Sequence, residues 1–180
     1  MALAIEIPCE DGNLEFIVRP AETSDSRGLI YLLQELEQET EYLVIDRYMD
    51  VEQQKSLIHQ YNQSINSIYL VIESDDQFVG IATLAGNQHP LQSHRATLGI
   101  ALLEDYWGYG IGSLLVEELL DFAAHSNIEI ITLEVVSENI KAINLYKKYE
   151  FKEVGRFSNY LKYKHLTYDA VLMERMVDPE

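Results

Sequence analysis

Three glycines stand at alternate positions, Gly108, Gly110 and Gly112, in the stretch EDYWGYGIGSLL from Glu104 to Leu115. They follow an apolar run and precede residues with helical periodicity. Glycine is a poor helix opener, so the spacing serves something other than helix stability. A glycine-rich turn from strand into helix exposes several backbone N–H groups at the helix N-terminus, where the macrodipole adds partial positive charge. Without a Cβ the backbone lets an anion approach to hydrogen-bond distance. The dinucleotide fingerprint GxGxxG fails by one residue, because Ser113 follows Gly112, and no lysine occurs between Arg95 and Lys141 to complete a P-loop. What remains is a GxGxG loop suited to a pyrophosphate.

A carboxylate and a tyrosine also stand out. Glu134 lies inside IITLEVV, an otherwise apolar strand, where a carboxylate is costly unless it is paired, hydrated or used. Tyr146 belongs to the stripe Ala142, Leu145, Tyr146, Tyr149, which fits both core packing and a proton donor facing a site. The histidines His59, His89, His94, His125 and His165 are scattered, with no helical pair at metal-ligand spacing, so no metal is expected. No serine, histidine and acid arrangement is recognisable, and the lone Cys9 reads as an incidental thiol.

The elements that must position these groups follow from hydropathy. LEFIVRP, from Leu14, reads as a strand ended by Pro20. Leu29, Leu32, Leu33 and Leu36 mark a helix, and a second, more polar helix is predicted over Val51–Tyr61. SIYLVIES and QFVGIATLAG form a hairpin, and HRATLGIALL runs as a strand into the glycines. Ile111, Leu114, Leu115, Leu119, Phe122 and Ala123 share one helix face that stops near Asn127. IEIITLEVV is a strand, ENIKAINLYKKY a helix with Ser137 as its N-cap, and EVGRFSNYLK and TYDAVLMERM two closing strands. Three consecutive strands preclude a simple doubly wound sheet. The expected fold is α/β: a central mixed, mostly antiparallel sheet flanked by helices on both faces. Residues 1–180 read as one domain, with 1–13 as a loose N-terminal segment.

The charge balance narrows the partners. Thirty acidic residues against thirteen Lys and Arg give a net charge of −17, which disfavours nucleic acid. From Glu22 to Glu52 nine acids (Glu22, Asp25, Glu35, Glu37, Glu39, Glu41, Asp46, Asp50, Glu52) face only Arg27 and Arg47. By contrast Lys141, Lys147, Lys148, Lys152, Arg156, Lys162 and Lys164 gather basic charge near the end, so the two halves are expected to meet oppositely charged ligands. The start has no basic n-region and no apolar run reaches membrane-spanning length, so a cytoplasmic protein without membrane partners is expected.

LGIALLEDYWGYGIGSLLVEELLDFA followed by LEVVSENIKAINLYKKYEF resembles the acetyl-CoA motifs of the GCN5-related N-acetyltransferase (GNAT) family, and the similarity runs from about Arg95 to Met176. The later segment is especially similar to bacterial ribosomal-protein N-terminal and polyamine acetyltransferases. The resemblance implies a single GNAT-like domain that uses acetyl-CoA as co-substrate and transfers its acetyl group to a primary amine, on a small molecule or a peptide, by direct attack. It implies that the amides of Trp107, Gly108, Tyr109, Gly110, Ile111, Gly112 and Ser113 hold the pyrophosphate. Ile100, Ala101 and Leu102 would pair with the pantetheine arm as an added strand, with an oxyanion donor near Leu102. Glu134 becomes the general base, with Glu104 second, and Tyr146 the acid for the leaving thiolate. Asn139 would bind pantetheine, and Lys148, with Lys147 and Lys152 as neighbours, the 3′-phosphate. In the family the first helices line the acceptor site; here they are acidic, so a cationic amine is expected. The last two strands are available for pairing with a second copy. Trp107, Glu104 and Glu150 depart from the family pattern, and a left-handed Glu150 would cost roughly 1 kcal/mol. Rival readings are a non-catalytic coenzyme A-binding sensor and, more weakly, a dinucleotide-dependent oxidoreductase.

Overall fold

The computed structural model describes residues 2–9, 12–43 and 49–177. Asp46 and Arg47 of the acidic stretch lie outside the described residues. The strands β1 (Leu3–Cys9) and β2 (Gly12–Pro20) pair antiparallel, with Leu3 opposite Val18, Ile5 opposite Phe16 and Ile7 opposite Leu14. The expected loose N-terminus is therefore corrected. Leu3, Ile5 and Ile7 alternate with the exposed Ala4 and Glu6, a period of two that places all three apolar side chains against the core.

Two helices follow. In α1 (Ser26–Glu39) Leu29, Leu32 and Leu36 are buried. The second helix, α2 (Val51–Gln63), opens with a capping box, in which the Gln53 amide donates to Asp50 Oδ1 and the Asp50 amide to Gln53 Oε1, each at 2.8 Å. β3 (Ile68–Ser74) and β4 (Gln77–Gly86) form the expected hairpin. Its turn residues Asp75 and Asp76 both have positive φ, 50° and 60°, which matches the twist of the strands. Tyr69, Leu70, Val71 and Ile72 are all buried; because successive side chains point to opposite faces, both faces of the sheet are covered here.

The second half contains β5 (Arg95–Leu102), α3 (Ile111–His125), β6 (Ile130–Val136), α4 (Ile140–Lys148), β7 (Lys152–Tyr163) and β8 (Leu166–Met176). Together the eight strands make one sheet in the order β1-β2-β3-β4-β5-β6-β8-β7. Every neighbouring pair is antiparallel except β5 and β6. This is the mixed, mostly antiparallel arrangement expected from the chain. The helix α4 is capped by Asn139, not by Ser137 as expected: Asn139 Oδ1 accepts from the Ala142 amide at 3.2 Å, while the Ser137 hydroxyl donates to Glu138.

One irregularity organises the rest. The parallel pair β5 and β6 is joined only at Arg95–Thr97 and Ile130–Thr132. Beyond that point β5 stays paired with β4 as far as Leu102, and β6 with β8 as far as Val136, so the two strands part and leave a wedge in the middle of the sheet. Among the described residues no helix is long and apolar enough to cross a membrane.

Candidate active site

Leu103 donates to the Val79 carbonyl at 3.0 Å and Asn87 to the Arg95 carbonyl at 2.9 Å, so odd-numbered residues of β5 spend their backbone groups on β4. Even-numbered residues point theirs the other way. Ile100 and Leu102 therefore present N–H and C=O groups to the wedge, whereas Ala101, expected to join them, turns its backbone toward β4 and contributes only a small side chain. The Leu102 carbonyl is already engaged: Trp107 Nε1 donates to it at 2.7 Å.

The glycine loop lies at the mouth of the wedge. Gly108 and Gly110 have φ of 86° and 85°, a region that side chains strain to enter, and open space lies where each Cβ would be. Gly112 has a different reason, since its Cβ would stand 3.1 Å from Leu145 Cδ2, so it lets α3 and α4 pack closely. The first helical bond of α3 runs from the Leu114 amide to the Gly110 carbonyl, which leaves the amides of Ile111, Gly112 and Ser113 without a partner inside the helix. The Trp107 amide does not belong to this set, because it donates to the Glu104 carbonyl at 3.0 Å.

A cavity of about 390 Å³ follows the loop into the wedge. Of the residues expected from the sequence it is bordered by Ile100, Ala101, Leu102, Trp107, Gly108, Gly110, Ile111, Gly112, Ser113, Asn139 and Tyr146. Tyr109 is absent from its wall. In a chain with thirty acidic residues, the described residues of this wall include no carboxylate and one lysine, Lys141, whose Nζ stands 4.9 Å from the centre of the Trp107 ring. Lys148 reaches across from α4 to donate to Ser113 Oγ at 3.1 Å, which puts a second ammonium beside the loop. An open cradle of free amides, a positive helix end and two lysines suits a polyanion.

On the other side of the wedge a second cavity, about 380 Å³, is walled by α1, α2, β4 and β6. It shares Tyr42, Leu43, Ile100, Ala101, Asn139, Ala142 and Tyr146 with the first. Tyr146 thus stands in the partition. It packs edge-on to Phe151 at 5.8 Å, and burial pushes its pKa up to about 12. Glu134 borders the second cavity and is exposed, although Leu133 and Val135 on either side are buried. The parting of β5 from β6 removes the neighbour that would have covered it. Glu104 lies elsewhere, in a hollow with Glu37, Glu39, Glu41 and Glu138, where its amide donates to Glu39 Oε2 at 2.9 Å.

The acidic reading of the first helices changes in detail. Leu33, Tyr42, Leu43, Met49, Gln54, Leu57 and Tyr61 face the second cavity, and Glu134 is the only carboxylate among its described lining residues. Glu37 and Glu39 of α1, with Glu41 beyond its end, line the outer hollow instead. Tyr160, Gln54 and Lys141 border these spaces without having been singled out as site residues. Tyr160 arrives through a register shift of β7 between Phe157 and Leu161, with Asn159 at φ 51°; burial and its hydrogen bond to Glu134 push its pKa up to about 12. No local pattern announces that. Gln54 did leave a signal, an amide one turn before Ile58 on the inner face of α2, both of them buried.

A model of the acetyltransferase (GNAT) family matches residues 30–151. The L-amino acid N-acetyltransferase AaaT of Escherichia coli is 28% identical over 163 residues, covering 90% of this chain and 98% of that protein. Among solved structures, the acetyltransferase of GNAT family from Streptococcus pneumoniae is 27% identical with a TM-score of 0.84, over 90% of this chain and 99% of that one. The yncA protein of Salmonella typhimurium, solved with its cofactor acetyl-CoA, superposes with a TM-score of 0.80 over 92% of this chain and 95% of that one; at 16% identity it speaks for the fold alone.

Proposed function

The chain belongs to the acetyltransferase (GNAT) family and is an acetyl-CoA-dependent N-acetyltransferase, and from that premise we propose that it acetylates a cationic primary amine that enters the cavity beside Glu134. The observation that carries the proposal is Tyr146 in the wall common to both cavities, where a donor in one space and an acceptor in the other would meet.

The residues of the first cavity fit acetyl-CoA. When bound, it supplies a thioester carbonyl open to attack by nitrogen. The free amides of the loop and the positive end of α3 receive the diphosphate, while Lys148 and Lys141 add charge. Ile100 and the Leu102 amide would offer the edge of β5 to the extended arm, with the Leu102 N–H as the candidate donor to the oxyanion that forms there. Asn139 spends Oδ1 on its helix cap and keeps its amide N–H groups for the arm.

The ammonium first gives one proton to Glu134, directly or through one water, and Glu134 passes it to solvent; the neutral nitrogen then attacks, and the second proton, lost as its bond to carbon forms, goes to the freed carboxylate. Tyr146 gives its proton to sulfur as the carbon–sulfur bond breaks, then regains one from solvent. An ammonium and a thioester become an amide, a thiol and one released proton. An acid pushed up to about 12 by burial stays protonated throughout the neutral range, as this role demands.

Two features support a cationic acceptor without a carboxylate next to the amine. The hollow with Glu37, Glu39, Glu41, Glu104 and Glu138, five carboxylates against Lys141 and Lys164, adjoins both cavities through Tyr42 and Asn139, and its excess negative charge would draw cations inward. No Lys, Arg or His stands among the described residues lining the acceptor cavity to meet a carboxylate, unlike what an amino acid acceptor calls for. Thiol release from acetyl-CoA with a panel of cationic and neutral amines, at low and high salt, tests this. The expected outcome is amine-dependent turnover, faster for cations, with KM rising as salt screens the hollow. Tight binding of acetyl-CoA with no amine-dependent turnover would instead favour a coenzyme A sensor.

A further inference from the structure

The acceptor cavity contains a polar group that acetyl transfer leaves unused. Gln54 is fully buried and borders the same cavity as Glu134 and Tyr146. Its Nε2 donates to the Tyr69 hydroxyl at 3.3 Å, while its Oε1 accepts nothing. Among the described residues one other buried side-chain oxygen lacks a hydrogen bond, Glu73 Oε1, and that atom stands 2.5 Å from Arg19 Nη2 in an ion pair. Gln54 is therefore the one buried side chain with an uncompensated polar atom among them. Such an atom lowers stability, and an apolar side chain of the same shape would remove the cost. Tyr69 satisfies one end of the amide only, and the other end stays unpaired within the wall of the cavity that the residue borders.

We propose that Gln54 selects the acceptor: its Oε1 receives an N–H or O–H group carried by the amine at a distance from the reacting nitrogen. This rests on the reading of the cavity as the acceptor site and narrows it. Leu33, Leu57 and Ile81 in the same wall call for an apolar connecting segment. The substrate class is an amine whose hydrocarbon spacer ends in a hydroxyl, an amide N–H or a second amino group. A plain alkylamine leaves Oε1 unpaired and loses the discrimination that a buried polar group provides.

The test compares three acceptors of matched length: a linear alkylamine, the same chain ended by a hydroxyl, and the methyl ether of that hydroxyl. With the native protein, kcat/KM for the hydroxyl compound is expected to exceed that for the other two by about tenfold. In Gln54→Met this preference disappears while the melting temperature holds or rises. Gln54→Glu, which keeps an acceptor oxygen, retains the preference and strengthens it for a chain ended by a second amine; it also serves if the methionine variant fails to fold. An unchanged preference in Gln54→Met, or a native preference for the ether, overturns the proposal and leaves a buried water as the partner of Oε1. Acetylation of none of the three, with acetyl-CoA still bound, overturns the acceptor-site reading itself and the inference with it.

Discussion

Tyr146 joins two requirements that a single side chain can meet only in a partition. Its ring is core, packed on Phe151, and the residue borders both cavities. Tyr146→Phe keeps the packing and removes the proton. It should lower kcat by about a hundredfold or more, while titration calorimetry finds acetyl-CoA affinity within about twofold of native. Equal losses in kcat and affinity would make the residue structural. Glu150 illustrates a local cost of another kind. It ends α4 at φ 65°, as the sequence anticipated, in a conformation that glycine adopts freely. Glu150→Gly is expected to raise unfolding stability by about 1 kcal/mol in a urea titration, with turnover unchanged.

At the scale of elements, the site is made by strands that separate. β5 and β6 share three residue pairs and then follow different partners, β4 and β8. That parting uncovers Glu134, frees the backbone of Ile100 and lets the N-terminus of α3 look into the gap. The loop at its mouth depends on backbone shape more than on side chains. Gly110→Ala would force a side chain into φ 85° and into the open space of the cradle. We expect a loss of about 1 kcal/mol in stability and at least about tenfold in acetyl-CoA affinity, both measurable on the purified variant. Retained affinity would show that the diphosphate is held elsewhere.

The whole molecule carries a net charge of −17, yet none of the acids stands among the described residues lining the first cavity, while Glu134 borders the second and five glutamates line the outer hollow. Its buried tyrosines predict a limit at high pH. Burial pushes Tyr69 and Tyr146 up to about 12, against ~10 in an unfolded chain. Both are neutral when protonated, so the folded state holds these protons more tightly. The contribution is fully present below pH ~10 and is lost as pH rises toward 12. Each tyrosine adds a slope of up to about 1.4 kcal/mol per pH unit in that window. Urea midpoints measured at increasing pH should fall there, and Tyr146→Phe should flatten the fall. A midpoint constant across the window would contradict the burial of these hydroxyls.

Local chemistry made much of this legible in the sequence. Alternating glycines, an isolated carboxylate in an apolar strand and leucines at helical spacing each report a short-range preference of the backbone or of burial. So the element order, the loop and the candidates Glu134 and Tyr146 were visible before any fold was known. The strand β1 was missed because its alternation is short, and pairing with β2 is what makes it a strand. Tertiary structure alone decided the rest: that Trp107 closes on the Leu102 carbonyl, that Ala101 turns away, that Tyr160 reaches Glu134 through a register shift in β7, and that Gln54 borders a cavity with its oxygen unpaired. These contacts join residues distant in the chain, and the free energy that selects them belongs to packing between elements, which no local spacing encodes.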